Sequence, residues 1–310
     1  MKIPETTRSP WLLIIIVIGI LTMFSIFVVG FVTLLFTGED IQAGNVAIIP
    51  IKGVIMIDGS SDLFSASSVA SSTSIIEQIE KAEKDSAIQA IVFDINSPGG
   101  APVASAEITR AIKECNKTTV AVVREYGASG AYWAASAADH IIANEVSVTG
   151  SIGVLGSYLQ YGGLMERYNV SYERFVAGDY KDMGSPYREM STEEKSLYQS
   201  EINAMHRVFV QSVAENRGMS YEEVETLATG QIYLGIDAIN NGLIDELGGK
   251  KEAYTYIETT LNIIVEPVEY EEKSFFQMLA SAMDNSAFKV GQGIGSALVE
   301  TDNSARLSLN

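Results

Sequence analysis

The N-terminal part of the chain constrains the fold most strongly. Residues 11–36, WLLIIIVIGILTMFSIFVVGFVTLLF, are 26 residues without a charged side chain. An α-helix of that length is about 39 Å long, which is enough to cross a hydrocarbon core of roughly 30 Å with some tilt. A cleaved signal peptide has a shorter apolar segment and a small-residue cleavage site. We therefore predict a permanent transmembrane helix over residues 11–36.

The charges on either side of this run predict its orientation. Lys2 and Arg8 precede it, whereas Glu39 and Asp40 follow it. The positive-inside rule then makes residues 1–10 a cytoplasmic tail and places everything after residue 37 outside the cytoplasm. We expect a single-pass protein of the cell membrane that contacts lipid through residues 11–36.

Composition excludes several classes of function. The 310 residues carry a net charge of −18, which argues against a nucleic-acid partner because phosphate binding needs clustered Lys and Arg. Cys115 is the single cysteine, so no intrachain disulfide can form. With only His140 and His206 besides, the sequence contains no Cys/His cluster of metal-ligand spacing. We predict neither a metal nor a cofactor.

Beyond the apolar run, strand-like and helix-like segments alternate. The predicted strands are 46–55, 88–96, 118–125, 140–147 and 172–178, and the predicted helices are 71–85, 102–115, a helix from 129, 191–218 and a segment from 220. Ser191 and Ser220 each precede a Glu by three residues, as in a capping box. This order predicts an α/β fold with a mainly parallel sheet of repeated βαβ units, covered on both faces.

The same pattern divides the chain. Residues 37–45 are a predicted linker, and residues 46–268 are the predicted folded domain. Residues 269–310 form a C-terminal extension. From about residue 284 it is polar, contains glycines and is only weakly periodic, so we expect the extension to be partly disordered.

Two glycine turns follow two of the predicted strands. The first, in the segment DINSPGG, contains Gly99 and Gly100, and the second, in YGASG, contains Ser129 and Gly130. Because the carboxyl ends of parallel strands meet at one edge of a sheet, we expect the two turns to be neighbours. A turn or a helix N-cap would explain either segment alone. Together they predict a nucleophilic serine beside backbone N–H groups that bind an oxyanion.

The combination of motifs resembles the Clp-protease/crotonase superfamily and, in detail, the membrane-bound signal peptide peptidase A (SppA) family. The similarity extends over residues 46–268, through the segments VTGSIGVLG (148–156), KDMGSPYREMSTEE (181–194) and ATGQIYLGIDAINNGLIDELGG (228–249). The resemblance implies a serine protease with a Ser/Lys dyad. Ser129 would be its nucleophile, and Gly100 and Gly130 would form its oxyanion hole.

The general base is the less obvious half of such a dyad. A lysine can replace a histidine when desolvation lowers the pKa of its amine from about 10.4 toward the operating pH. Lys181, 52 residues after Ser129, matches the lysine of the family, and we favour it over either histidine. Asp179 and Asp182 flank it and would favour the protonated amine if they lay close, so we expect both carboxylates to point elsewhere.

A second serine, Ser151, also lies among glycines near a strand end. It is a rival nucleophile by its surroundings alone. The resemblance gives it a supporting role, in which its hydroxyl hydrogen-bonds to the amine of Lys181 and orients it.

The resemblance implies a membrane-anchored endopeptidase that degrades cleaved signal peptides or other membrane-associated peptides outside the cytoplasm. It also implies a ring-like homo-oligomer with active sites between protomers. Two alternatives stay open: a related membrane serine protease that acts on one specific membrane protein, and an inactive scaffold that only binds peptides. An acyl-CoA enzyme of the crotonase type is disfavoured by the predicted topology, because CoA is cytoplasmic.

Overall fold

The structure is a computed structural model that describes residues 10–37, 44–58 and 69–270. The chain divides into two units, Met1–Gln42 with Glu272–Asn310 and Ala43–Glu271. Most of the predicted cytoplasmic tail, of the linker over 37–45 and of the C-terminal extension lies outside the described residues. The predictions for those segments therefore stay predictions.

The described part of the first unit is helix α1 (Pro10–Thr37), which coincides with the predicted membrane span. Its side chains are described at positions 11, 14 and 17–28, where they are exposed. Among the described residues, no helix is long and apolar enough to cross a membrane. The span over residues 11–36 stays a prediction.

The second unit is built on a mainly parallel sheet. Its strands, in chain order, are β1 (Val46–Lys52), β2 (Val54–Met56), β3 (Val69–Ser71), β4 (Ala90–Ser97), β5 (Thr118–Ala128), β6 (His140–Ala143), β7 (Val148–Gly150), β8 (Ile232–Leu234), β9 (Glu246–Leu247) and β10 (Pro267–Glu269). The central order is β10-β1-β4-β5-β6-β9, with every pair parallel. Strand β7 extends the sheet beside the end of β5, and β8 pairs antiparallel with β7. The predicted α/β fold with a mainly parallel sheet is confirmed.

Helices cover both faces of the sheet. They are α2 (Ser72–Lys84), α3 (Pro102–Glu114), α4 (Gly130–Ser136), α5 (Gly162–Arg167), α6 (Thr192–Arg217), α7 (Tyr221–Leu227), α8 (Gly235–Asn240) and α9 (Lys250–Leu261). Ile91, Phe93 and Ile95 of β4 join a core with α2, α3, α4 and α6, whereas Ala90 and Val92 pack toward α9. Alternate residues of one strand thus enter two cores, as expected for a strand buried on both faces.

Three predicted strands differ from the structure. The predicted strand 140–147 ends at Ala143, because residues 144–147 turn the chain before β7 begins. The segment 46–55 is broken at Gly53, whose φ of +84° turns the chain, so that β2 pairs with β3 in a separate small sheet. Residues 172–178 form no strand and are exposed along their length. A strand needs a neighbour for its backbone hydrogen bonds, and none of the described residues pairs with this segment. Both predicted capping boxes are confirmed, at Ser191 and Ser220.

Candidate active site

Ser129 lies at the sharp turn between β5 and α4. Its backbone has φ +54° and ψ −126°, a combination that costs free energy for any residue with a side chain. The N–H of Ser129 donates to Gly150 O at 2.8 Å, and the Trp133 N–H donates to Ser129 O at 2.9 Å. The strained residue is therefore fixed by the end of β7 on one side and by the first turn of α4 on the other.

The two glycine turns lie side by side. An added Cβ on Gly99 would be 2.7 Å from Gly130 N and 2.9 Å from the Cβ of Ser129. A Cβ on Gly100 would be 2.0 Å from Ile55 O, and one on Gly130 would be 2.1 Å from the Ser105 hydroxyl. Each position admits only glycine unless its surroundings move. This close approach explains why both turns are glycine-rich, and it confirms that they are neighbours.

The backbone N–H groups of these turns differ in availability. The Gly99 N–H donates to Ser97 Oγ at 3.1 Å and is therefore occupied. The N–H groups of Gly100 and Gly130 donate to no acceptor within residues 44–58 and 69–270. Two unused donors next to a serine hydroxyl can stabilise a negatively charged oxygen that forms there.

Ser151 occupies the equivalent position on the neighbouring strand. Ala128 of β5 pairs with Gly150 of β7, so Ser129 and Ser151 each directly follow a paired residue. Ser151 also has a positive φ, +51°, and its N–H donates to Gln231 O at 2.8 Å. The two serines thus emerge from adjacent strands at the same edge of the sheet.

Lys181 lies in a different environment, on an exposed loop before α6. Its own N–H donates to Gly178 O at 3.2 Å, which closes a turn. Its side chain has no hydrogen bond or ion pair to any residue that the structure describes, Ser129 and Ser151 included. One chain alone therefore does not assemble the predicted Ser/Lys pair.

The carboxylate that follows Lys181 is strongly engaged. Asp182 accepts hydrogen bonds from Arg174 and Arg188, and these two guanidinium groups hold the pKa of its carboxyl far below the usual range. The expectation that Asp182 has a partner other than Lys181 is met by this pair of arginines.

Both histidines are engaged elsewhere. The His140 ring stacks on Tyr256 with centroids 4.0 Å apart, and its Nε2 lies 3.1 Å from Glu246 Oε2. His206 Nε2 lies 2.9 Å from Ala228 O, where the ring can donate. Neither ring hydrogen-bonds to Ser129, which agrees with the preference for a lysine base.

Comparison with known proteins bears on this arrangement. The profile described as "Peptidase family S49" matches residues 111–263, and the profile "ClpP-like SDH-type serine proteinase" matches residues 47–161. A protein of Methanocaldococcus jannaschii that bears the name "Putative protease MJ0651" is 38% identical over 229 residues, which cover 72% of each chain. The chain belongs to peptidase family S49.

Two further relatives make the class of enzyme specific. A "Putative signal peptide peptidase SppA" of Enterococcus faecium is 34% identical over 70% of this chain and 65% of its own length. "Protease 4" of Haemophilus influenzae is 31% identical over 70% of this chain, but only 35% of its own length is covered. The chain is thus an SppA-related serine protease of family S49, and it spans about a third of the longer relative.

Some residues of this S49 site escaped the sequence analysis. The Ser97 hydroxyl accepts a hydrogen bond from the Gly99 N–H, and the Ser105 hydroxyl lies close to Gly130. Arg174 and Arg188 bind Asp182, although no regular element relates them. Ser97 lies in the segment DINSPGG, and Arg188 and Glu194 lie in the segment 181–194, but the sequence indicated a role only for Glu194, as part of the capping box.

Proposed function

We propose that this S49 serine protease is anchored in the cell membrane and hydrolyses signal peptides or other peptides that leave the membrane, through a dyad of Ser129 and Lys181. The observation that carries the proposal is Ser129 itself. Its strained backbone is fixed beside the unused N–H groups of Gly100 and Gly130. The name of the Enterococcus faecium relative supports the choice of signal peptides as substrates.

The proposed reaction uses these groups in order. Ser129 Oγ attacks the scissile carbonyl while its proton passes to the neutral amine of Lys181. The N–H groups of Gly100 and Gly130 donate to the oxygen that becomes negative in the tetrahedral intermediate. The protonated lysine then returns the proton to the leaving amine, and water hydrolyses the acyl-enzyme with the same lysine as base. Ser151 orients that amine.

The lysine in this proposal comes from a neighbouring subunit of a ring-like homo-oligomer. The side chain of Lys181 has no partner among residues 10–37, 44–58 and 69–270 of its own chain, and this supports the arrangement. So does the apolar surface of the segment before it, where Leu155 and Phe175 are 87% and 91% exposed. Large apolar side chains are exposed along this whole segment, and on a folded domain such a segment indicates a surface that another protein covers.

Helix α1 supports the anchor. Its described side chains are almost all apolar, and Met23, Phe24 and Ile26 are exposed. Exposed apolar side chains favour contact with lipid, and the charges of Lys2 and Arg8 favour a cytoplasmic N-terminus. In this proposal the peptidase domain lies outside the cytoplasm, where cleaved signal peptides emerge.

The test uses the full-length, detergent-solubilised enzyme. A fluorophosphonate probe should label the wild-type protein and the Ser151→Ala variant, but not Ser129→Ala. Synthetic signal peptides should be cleaved faster than water-soluble peptides of equal length. Labelling of the Ser129→Ala variant would mean that another residue is the nucleophile. Equal cleavage of both peptide sets would mean that signal peptides are not the preferred substrate. For the anchor, protease added to intact spheroplasts should digest the peptidase domain, and protection until lysis would reverse the topology.

A further inference from the structure

Four charged side chains form a closed cluster around the loop that carries Lys181. We call Arg174, Asp182, Arg188 and Glu194 the arginine clamp. Asp182 Oδ2 accepts from Arg174 Nε at 2.6 Å and from Arg188 Nε at 2.9 Å, and its Oδ1 accepts from the Nη2 atoms of the same arginines at 2.7 and 2.9 Å. One carboxylate thus accepts two complete guanidinium forks, the strongest geometry for such a pair.

The clamp ties this loop to the first turn of α6. Arg188 Nη1 donates to Glu194 Oε2 at 2.8 Å, and its Nη2 donates to the other oxygen. The side chain of Glu194 is only 5% exposed and also accepts the N–H of Ser191 in the capping box at the start of α6. Hydrogen bonds from Arg188 and from the Ser191 N–H lower the pKa of Glu194 to about 2. Lys181 therefore directly precedes a residue, Asp182, whose side chain is fixed by four hydrogen bonds from two arginines.

The charges of the clamp sum to zero, since two guanidinium groups offset two carboxylates. This balance matters because Asp182 directly follows Lys181, and an uncompensated carboxylate there would stabilise the charged ammonium. Other charged groups of the same loop and of the start of α6 are Asp179, Glu193, which accepts from the Tyr180 hydroxyl, and the pair formed by Glu189 and Lys195.

We propose that Arg174 and Arg188 are positioning residues that cancel the charge of Asp182 and so allow Lys181 to act as a neutral base. The inference rests on the proposed role of Lys181 in catalysis. A base must lose its proton before it can accept one from Ser129, and an ammonium next to a bare carboxylate loses it only at higher pH. The arginines leave Asp182 in place as a structural partner while removing its electrostatic effect on the amine.

If the arginine clamp only held the loop in place and had no electrostatic effect on Lys181, its variants would behave differently. With a purely structural role, substitutions in the clamp would lower turnover without changing the pH at which activity appears. A charge balance predicts shifts of opposite sign. Arg174→Gln leaves the cluster with one net negative charge, which favours the ammonium, so the acid limb of the kcat/KM profile should move up by about one pH unit. Asp182→Asn leaves one net positive charge and should move that limb down.

The experiment measures kcat/KM against pH for the full-length enzyme, with circular dichroism as a check on folding. The double variant R174Q/D182N restores neutrality and should return the limb close to its wild-type position, as should Arg174→Lys, which keeps the charge. Arg167→Gln is the matched control: Arg167 is exposed on α5 and has no ion pair within the described part of the chain, so its limb should not move.

The outcomes separate this inference from the proposed dyad. Unmoved limbs, or shifts of the same sign in R174Q and D182N, would overturn the charge balance while leaving the dyad intact. Near-normal turnover of Lys181→Ala would overturn the dyad itself. If R174Q does not fold, D182N and R174K still decide, because only the first should move the limb, and toward lower pH.

Discussion

Ser129 and Lys181 lie in regions of opposite construction. Around Ser129 the backbone is fixed by a parallel sheet, by buried helix α4 and by glycine turns that approach within contact distance. Around Lys181 there is no sheet and little core; residues 171–181 are exposed and are held by ion pairs. The proposed nucleophile and the proposed oxyanion hole thus lie together within one chain, whereas the proposed base lies on an exposed surface.

This difference suggests how such a protease is kept inactive before assembly. Packing fixes the half of the site that must be precise, because oxyanion stabilisation depends on preorganised donors. In the proposed arrangement the base is supplied only when a neighbouring subunit covers its loop, and the same contact would remove water from the amine. Under that proposal, hydrolysis outside an assembled ring would be prevented without a separate regulatory element.

The largest effect that tests this comparison is loss of either proposed catalytic group. Ser129→Ala and Lys181→Ala should each lower kcat/KM at least about 10³-fold, because nucleophile and base act as a unit. Ser151→Ala should cost less, about 10-fold, since it orients the base and supplies no proton transfer of its own. Peptide cleavage by purified full-length variants measures this. A milder loss in Ser129→Ala than in Ser151→Ala would exchange the two serines.

A smaller effect tests the packed region. Gly130→Ala would put a methyl group 2.1 Å from the Ser105 hydroxyl and 2.9 Å from the Ser105 Cβ, so rotation of the hydroxyl alone does not relieve the clash and α3 and α4 must shift relative to each other. Misplacing one oxyanion donor should lower kcat about 10²-fold. Gly163→Ala is the control, because nothing lies within 4 Å of its added Cβ and it should keep wild-type turnover. Wild-type kcat in Gly130→Ala would remove this N–H from the mechanism.

A third prediction joins the two regions across a subunit boundary. In rings assembled from equal amounts of Ser129→Ala and Lys181→Ala chains, roughly a quarter of the head-to-tail joints should combine an intact serine with an intact lysine. Activity should therefore return to about a quarter of the wild-type value, measured with a fluorogenic peptide after co-folding. If mixed oligomers are proven and no activity returns, each dyad lies within one chain.

The contrast between the regions also explains which features were predictable from sequence. The strands that support Ser129 are buried on both faces, so Ile91, Phe93 and their neighbours form apolar runs that identify them. The two turns carry glycines because added Cβ atoms do not fit. The apolar runs and the glycine turns are both visible in short stretches of sequence, and the parallel sheet brings the two turns together at one edge.

In the region of Lys181 the same logic fails. The segment 172–178 has the apolar pattern of a strand, but its side chains, such as Phe175, are exposed and no described residue pairs with its backbone. A local pattern cannot distinguish burial in a sheet from burial by a second subunit. The contacts from Arg174 and Arg188 to Asp182 follow no helical or strand period, so spacing gave no indication of them.

The smallest expected effect is a difference in acid stability: the ion pairs near Lys181 should be lost at a pH at which the sheet around Ser129 is still folded. Arg188 lowers the pKa of Glu194 to about 2, and the pKa of Asp182 lies lower still, against ordinary values near 4. A carboxyl whose pKa is depressed in the folded state stabilises that state above its unfolded pKa, and this contribution is lost as the pH falls through the folded value. The clamp should therefore weaken as the pH falls below about 4.

The sheet around Ser129 depends on apolar burial and backbone hydrogen bonds, so it should not respond in this range. Limited proteolysis with pepsin between about pH 4 and 2 should cut the segment 168–190 before it cuts the strands. Glu194→Gln, which cannot form the ion pair, should make that segment sensitive already at pH 4 and flatten the pH dependence. Glu201→Gln is the control: Glu201 is exposed on the same helix and has no ion pair among the described residues, so this variant should behave like the wild type. Simultaneous cleavage of strands and segment in the wild-type protein would mean that the ion pairs do not hold the segment separately from the core.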